Sequence, residues 1–124
     1  MNFIRSKNAP QPIGPYSQAV EVNGFVFTSG QIAMDPTDNT LISGGVAEQT
    51  SQVLENLKAV LSAAGSSLDK VVKTTIYIKN MDDFAEINDV YGQYFKGSRP
   101  ARSTVEAARL PKDVLVEIDC IAVK

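Results

Sequence analysis

Two short runs in which apolar and polar side chains mix at strand-like spacing, Gln18 to Val22 and Phe25 to Ser29, flank the dipeptide Asn23-Gly24. Asn-Gly tolerates the positive φ of a two-residue type I′ turn, so the pair predicts a β-hairpin. After a loop rich in Pro, Gly and Asn from Asp35 to Gly45, apolar or near-apolar residues recur at Val46, Thr50, Val53, Leu54, Leu57, Val60, Leu61 and Ala64. Spacings of three and four predict an amphipathic helix that Gly65 ends. The β-branched stretch Val71 to Ile78 predicts a strand with Val72, Thr74, Ile76 and Ile78 on one face and Lys73, Thr75, Tyr77 and Lys79 on the other. Asn80 then precedes a second helical stripe, Phe84, Ile87, Tyr91, Tyr94 and Phe95, with Asp83 near its start where the helix dipole favours an acid. Gly97 and Pro100 mark its exit, and two more strands follow, from Arg102 to Ala107 and from Leu115 to Val123.

The order ββαβαββ over one domain, residues 1–124, implies an α+β sandwich with both helices on one sheet face. In the last strand, Val116, Ile118, Cys120 and Ala122 form the side that packs on the helices. Leu115, Glu117, Asp119, Ile121 and Val123 form the other, and three of these five are aliphatics that a monomer leaves facing water. The second face is therefore expected to pack against other subunits. Glu117 and Asp119 then lie at a buried or half-buried interface, where carboxylates are costly without a role, and both become candidates for function.

Composition narrows the chemistry. The chain has 124 residues, 44% of them hydrophobic, enough for one core. Its 12 basic and 14 acidic residues are interspersed, so nucleic acid is not a favoured partner. With no histidine and a single cysteine, Ser/His and Cys/His catalysis, an intramolecular disulfide and the usual zinc sites are excluded, and no metal is expected. Met1 to Pro10 lacks the apolar stretch of a signal peptide and no window reaches membrane-spanning length, which predicts a cytoplasmic protein without a membrane partner. Cys120 alternates with buried apolar residues and reads as a small hydrophobe; Gly44-Gly45 reads as the approach to a helix rather than an anion site; Arg109 and Lys112 read as solvated or interface charges.

Pro100-Ala101-Arg102-Ser103-Thr104-Val105, Ala108-Arg109-Leu110-Pro111 and Val116-Glu117-Ile118 together resemble the signature of the RidA (YjgF/YER057c/UK114) family, as do Gly14-Pro15-Tyr16-Ser17-Gln18-Ala19 and Thr28-Ser29-Gly30-Gln31. The matching order and spacing run from about Asn8 to the last strand. The resemblance implies a chorismate-mutase-like fold and a homotrimer with a central barrel and three clefts between subunits. It also implies hydrolytic deamination of 2-aminoacrylate and related enamine or imine acids to 2-keto acids, as a 2-iminobutanoate/2-iminopropanoate deaminase with no cofactor.

The residue types suit that chemistry. Arg102 offers a planar fork for a carboxylate and keeps its charge at physiological pH. An imine acid is already electrophilic at C2, so orientation and one delivered water are the main requirements. The resemblance gives Glu117 the role of positioning or activating that water, and brings Tyr16, Ser29, Gly30, Phe84, Asn88 and Thr104 to the substrate. Each residue also has a plainer reading. Arg102 and Glu117 suit ion pairs, Tyr16 a core edge, Ser29-Gly30 turn chemistry, and Thr104 strand packing; Phe84 suits the core, and Asn88, on an otherwise apolar helical stripe, calls for an internal hydrogen-bond partner. Thr104 stands where many relatives carry cysteine, so thiol chemistry has no part at that position. The same folded site also serves a non-catalytic 2-keto-acid sensor, and a ribonuclease or translation inhibitor is the third class; the absence of histidine and of a basic stretch weighs against it.

Overall fold

A computed structural model describes all residues, 1–124. Eight strands and two long helices follow one another as β1 (Asn2–Ile4), β2 (Ala19–Val22), β3 (Phe25–Thr28), β4 (Met34–Asp35), β5 (Thr40–Leu41), α1 (Val46–Ala63), β6 (Val71–Ile78), α2 (Phe84–Tyr94), β7 (Ala101–Glu106) and β8 (Val116–Val123). Six strands form one sheet in the order β1-β2-β3-β8-β6-β7, antiparallel except for the β6–β7 pair, which is parallel and joined by α2. The architecture is the expected α+β, with both helices on one sheet face. No helix is long and apolar enough to cross a membrane.

The hairpin turn places Asn23 at φ 53° and Gly24 at φ 80°, the two positive values a type I′ turn requires. Gly65, at φ 79°, follows α1, where a left-handed residue accepts the last turn's bonds without a Cβ penalty. Glu48 reaches back to accept the Gly45 N–H at 2.8 Å, so the start of α1 is capped by its own side chain and presents no anion site. Asn80 opens the second helical stretch by accepting from the Asp82 N–H at 2.9 Å.

Ala19, Val26, Ala122, Cys120, Ile118, Val116, Ile76 and Ile78 close the sheet's helix side against Val53, Leu54, Leu57, Val60 and Leu61 of α1 and Ile87, Tyr91 and Phe95 of α2. Each of these large side chains contributes on the order of 1.5–3 kcal/mol on burial. Cys120 belongs to this layer, and its desolvated thiol is pushed up to about 12, which leaves it no nucleophilic thiolate. Val72 departs from its expected face. A bulge between Val71 and Lys73 shifts the register against β8, so Val71 faces the core and Val72 turns to solvent. The N-terminal strand β1 and the small β4–β5 hairpin were not expected from the pattern.

The opposite sheet face carries Phe25, Phe27, Ile121 and Val123, with Phe25 and Phe27 each 43% exposed, beside Lys73, Thr75, Tyr77, Glu117 and Asp119. Of the five residues expected there from β8, only Leu115 lies outside the strand.

Candidate functional site

Side-chain alternation decides where the candidate residues stand. Arg102 in β7 pairs with the buried Thr74 and so points to the helix side, as does Thr104, which pairs with Ile76. Glu117 in β8 pairs with Tyr77 and points to the other side. Arg102 and Glu117 of one chain therefore stand on opposite faces, with β6 between their strands.

Around Arg102, α2 builds a platform. The Tyr91 hydroxyl shares a 2.8 Å hydrogen bond with Thr74, which fixes the ring, and Tyr91 stacks on Phe95 with centroids 4.6 Å apart. The Arg102 guanidinium lies over Tyr91 at 4.9 Å and over Phe84 at 5.4 Å. Its Nη1 donates to Asn88 Oδ1 at 2.7 Å. Asn88 thus finds its partner in the arginine rather than in a backbone group, and Phe84 serves both the core edge and the cation. The other Arg102 donors have no protein acceptor and face a cavity of about 520 Å³ lined also by Lys96, Arg99 and Pro100. The Thr104 hydroxyl on the same face is buried without a partner.

On the other side, Gln31 and Ile118 exchange backbone hydrogen bonds of 2.8 and 3.1 Å. That bridge lays Gly30 against Glu117, so closely that a Cβ at position 30 would strike the carboxylate and come within 2.9 Å of its Cδ. Buried Asn56 donates to the Ile32 and Met34 carbonyls at 3.2 and 3.0 Å and holds the rest of this loop. Tyr16 packs back over Gly14 and its hydroxyl accepts from the Ile13 N–H at 3.4 Å. The Ser29 hydroxyl is already committed to the Ser17 carbonyl. Tyr16, Ser29, Gly30 and Glu117 line one cavity of about 530 Å³ with Ile13, Ile32, Pro111 and Lys112. Burial first, and the neighbouring Asp119 second, hold the Glu117 carboxyl above its ordinary range. Asp119 is raised by burial against an opposing hydrogen bond from Tyr77.

The eight candidates thus gather into two clusters, Arg102, Asn88, Phe84 and Thr104 in one and Tyr16, Ser29, Gly30 and Glu117 in the other. A family profile described as Endoribonuclease L-PSP matches residues 6–124. The chain belongs to the RidA family. It is 55% identical to a RutC family protein of Pyrococcus horikoshii, over 98% of this chain and 96% of that one. It is 46% identical to human 2-iminobutanoate/2-iminopropanoate deaminase, over 98% and 88%. Among solved structures, a Rid family protein from Yersinia pestis superposes with a TM-score of 0.97 at 51% identity, covering 99% of this chain and 98% of that one. E. coli TdcF with bound serine gives 0.95 at 44% identity, covering 100% and 99%.

Folding adds residues to this RidA-family site that sequence reasoning passed over. Tyr91 was read as core, yet it is the floor beneath Arg102. Lys96 and Arg99 carry no periodic signal because they lie in the turn between α2 and β7, and only the fold brings them to Arg102. Lys112 is exposed, as expected of a solvated or interface charge, and also lines the Glu117 cavity, at φ 55°. Arg109 is the surface charge expected, paired with Asp113 at 2.7 Å. A larger concavity of about 660 Å³ lies between α1 and the N-terminal segment, where the Asn56 amide is already engaged by backbone carbonyls.

Proposed function

We propose that the protein is a 2-iminobutanoate/2-iminopropanoate deaminase that hydrolyses 2-aminoacrylate and related enamine or imine acids to 2-keto acids and ammonia. Its working form in this reading is a homotrimer, with the second sheet faces together in a central barrel and a site in each cleft. The observation that carries the proposal is the division into two incomplete half-sites: an arginine held by an amide and two rings with donors to spare, and a desolvated carboxylate beside a glycine. A neighbouring copy is needed to oppose them, since one chain keeps them on opposite sheet faces.

In the assembled cleft the substrate carboxylate takes the free donors of Arg102, which Asn88, Phe84 and Tyr91 hold in place, and the Thr104 hydroxyl gains an acceptor. Glu117 from the adjoining subunit accepts a proton from water. The enamine first becomes its imine tautomer as a proton leaves nitrogen and one is gained at C3; the water oxygen then bonds to C2, the C=N bond becomes a single C–N bond with its nitrogen protonated, and the resulting amino-alcohol collapses by losing ammonia to leave the keto group. A carboxylate raised above its usual range is a stronger base for this step than a solvated one. No covalent enzyme intermediate is required. The family description as an endoribonuclease finds less support: the chain has net charge −2 and no histidine, and Tyr91 and Phe95 are buried rather than open to stacked bases.

The test generates 2-aminoacrylate with a serine dehydratase and follows pyruvate. Acceleration above the spontaneous rate, saturable and blocked by pyruvate itself, is expected; saturable keto-acid binding without acceleration would leave a sensor in place of the enzyme.

A further inference from the structure

The cavity in front of Arg102 holds more positive charge than one carboxylate needs. Lys96, Arg99 and Arg102 all line it, and no aspartate or glutamate does. The ion pairs of the chain lie elsewhere, at Arg109–Asp113 and Lys124–Glu21, so neither Lys96 nor Arg99 is neutralised by a partner. Three cations brought together without counter-charge repel one another. That repulsion is relieved by a ligand that brings a second anionic group.

The geometry points to Lys96 and Arg99 as specificity-determining residues that receive the distal acid of a dicarboxylic imine, the class that yields 2-oxoglutarate or a shorter 2-oxo diacid. This inference rests on the deaminase reading and names its substrate class. Arg102 holds the C1 carboxylate over Tyr91 and Phe84, and the distal carboxylate reaches the cationic turn across a cavity of about 520 Å³, within the usual span of small-molecule sites. The reaction is unchanged in its balance: water adds to C2, the C–N bond breaks, ammonia leaves, and the distal acid takes no part in bond making.

The test compares two acids of equal carbon number, 2-oxoglutarate and 2-oxopentanoate, by titration calorimetry against the assembled protein, and hydrolysis of the imines formed from glutamate and norvaline by a broad amino-acid oxidase. A preference of about tenfold for the diacid is expected, the effect of one added charge-assisted contact. In K96Q/R99Q the ratio between the two acids falls toward unity. In R102A binding of both acids is lost. Equal affinities in the wild type, equal weakening of both acids in K96Q/R99Q, or displacement of 2-oxopentanoate by an RNA oligomer that depends on Lys96 and Arg99 would each overturn the assignment. Parity of the two acids with imine hydrolysis intact removes only this inference. Absence of both binding and hydrolysis removes the deaminase reading with it.

Discussion

Replacing Arg102 with alanine removes three contacts at once: the planes over Tyr91 at 4.9 Å and Phe84 at 5.4 Å, and the 2.7 Å bond to Asn88 that leaves the remaining donors for substrate. Truncating one member of a desolvated, hydrogen-bonded charge pair costs about 2–5 kcal/mol. At 1.36 kcal/mol per decade, kcat/KM falls roughly 30- to 5000-fold. Arg102→Lys keeps the charge but gives up the planar fork and its stacking, for a loss of about 1–2 kcal/mol, or roughly 5- to 30-fold. Asn88→Ala frees the guanidinium to wander and is expected to cost about 1 kcal/mol in the wild type and much less in the Arg102→Lys background, because the two residues act as one unit. The assay is pyruvate release from 2-aminoacrylate, with calorimetric titration of pyruvate alongside and the melting temperature and oligomeric mass as controls. Wild-type kinetics in an Arg102→Ala protein of wild-type assembly would refute the anchor.

Glu117→Gln is expected to lower turnover on the order of 10²- to 10⁴-fold while raising the melting temperature at neutral pH. Burial and Asp119 lift the folded carboxyl above its unfolded value, so its stabilising protonated form is complete below the unfolded pKa and is lost as pH rises through the folded one; the stability gain of the variant should vanish in acid, and a gain that persists there would contradict the sign. The acid limb of wild-type kcat/KM should lie above the ordinary carboxylate range and disappear in Glu117→Gln. Gly30→Ala drives the Glu117 carboxylate aside, since the new Cβ has 2.9 Å to its Cδ; about 10²-fold of activity is lost with the fold intact, and unimpaired turnover would count against Glu117 as the base. Arg102→Ala and Glu117→Gln chains, unfolded and refolded together in equal amounts, should recover about a quarter of wild-type activity, because half of the arginine donors and half of the glutamate donors in each cleft are intact; no recovery would place both residues in the same subunit's contribution.

Elements whose stability comes from local pattern were legible before folding. The Asn23-Gly24 turn, the α1 stripe and the run Val71–Ile78 each carry their own signal, and the structure follows them to within a residue or two. Features fixed by a partner strand were not. β1 is three residues long with Phe3 exposed, and nothing but its pairing to β2 makes it a strand. The face of Val72 was misread because a bulge is a register event between β6 and β8 rather than a property of either sequence. The site divides in the same way. Arg102 and Thr104, two apart on one strand, were legible as neighbours, whereas Lys96 and Arg99 reach Arg102 only through the turn that closes α2 onto β7.

The same sheet explains why the two halves of the site are separated and why a glutamate is tolerated among aliphatics. Strand alternation leaves one face sealed by α1 and α2, so any side chain needed by a polar ligand must sit at an edge, as Arg102 does on β7, or on the uncovered face, as Glu117 does on β8. The uncovered face also presents Phe25, Phe27, Ile121 and Val123, which favour removal from water on the order of 25 cal/mol for each Å² covered. In the proposed trimer, docking of copies through that face would strip water from Glu117 as well, and raise further a carboxyl already raised in the single chain. In the proposed trimer, assembly would therefore do two things at one stroke: bring an arginine edge opposite the carboxylate, and make that carboxylate a better base. In that assembly the hydrophobic contacts would offset the electrostatic cost of a glutamate that weakens the isolated fold.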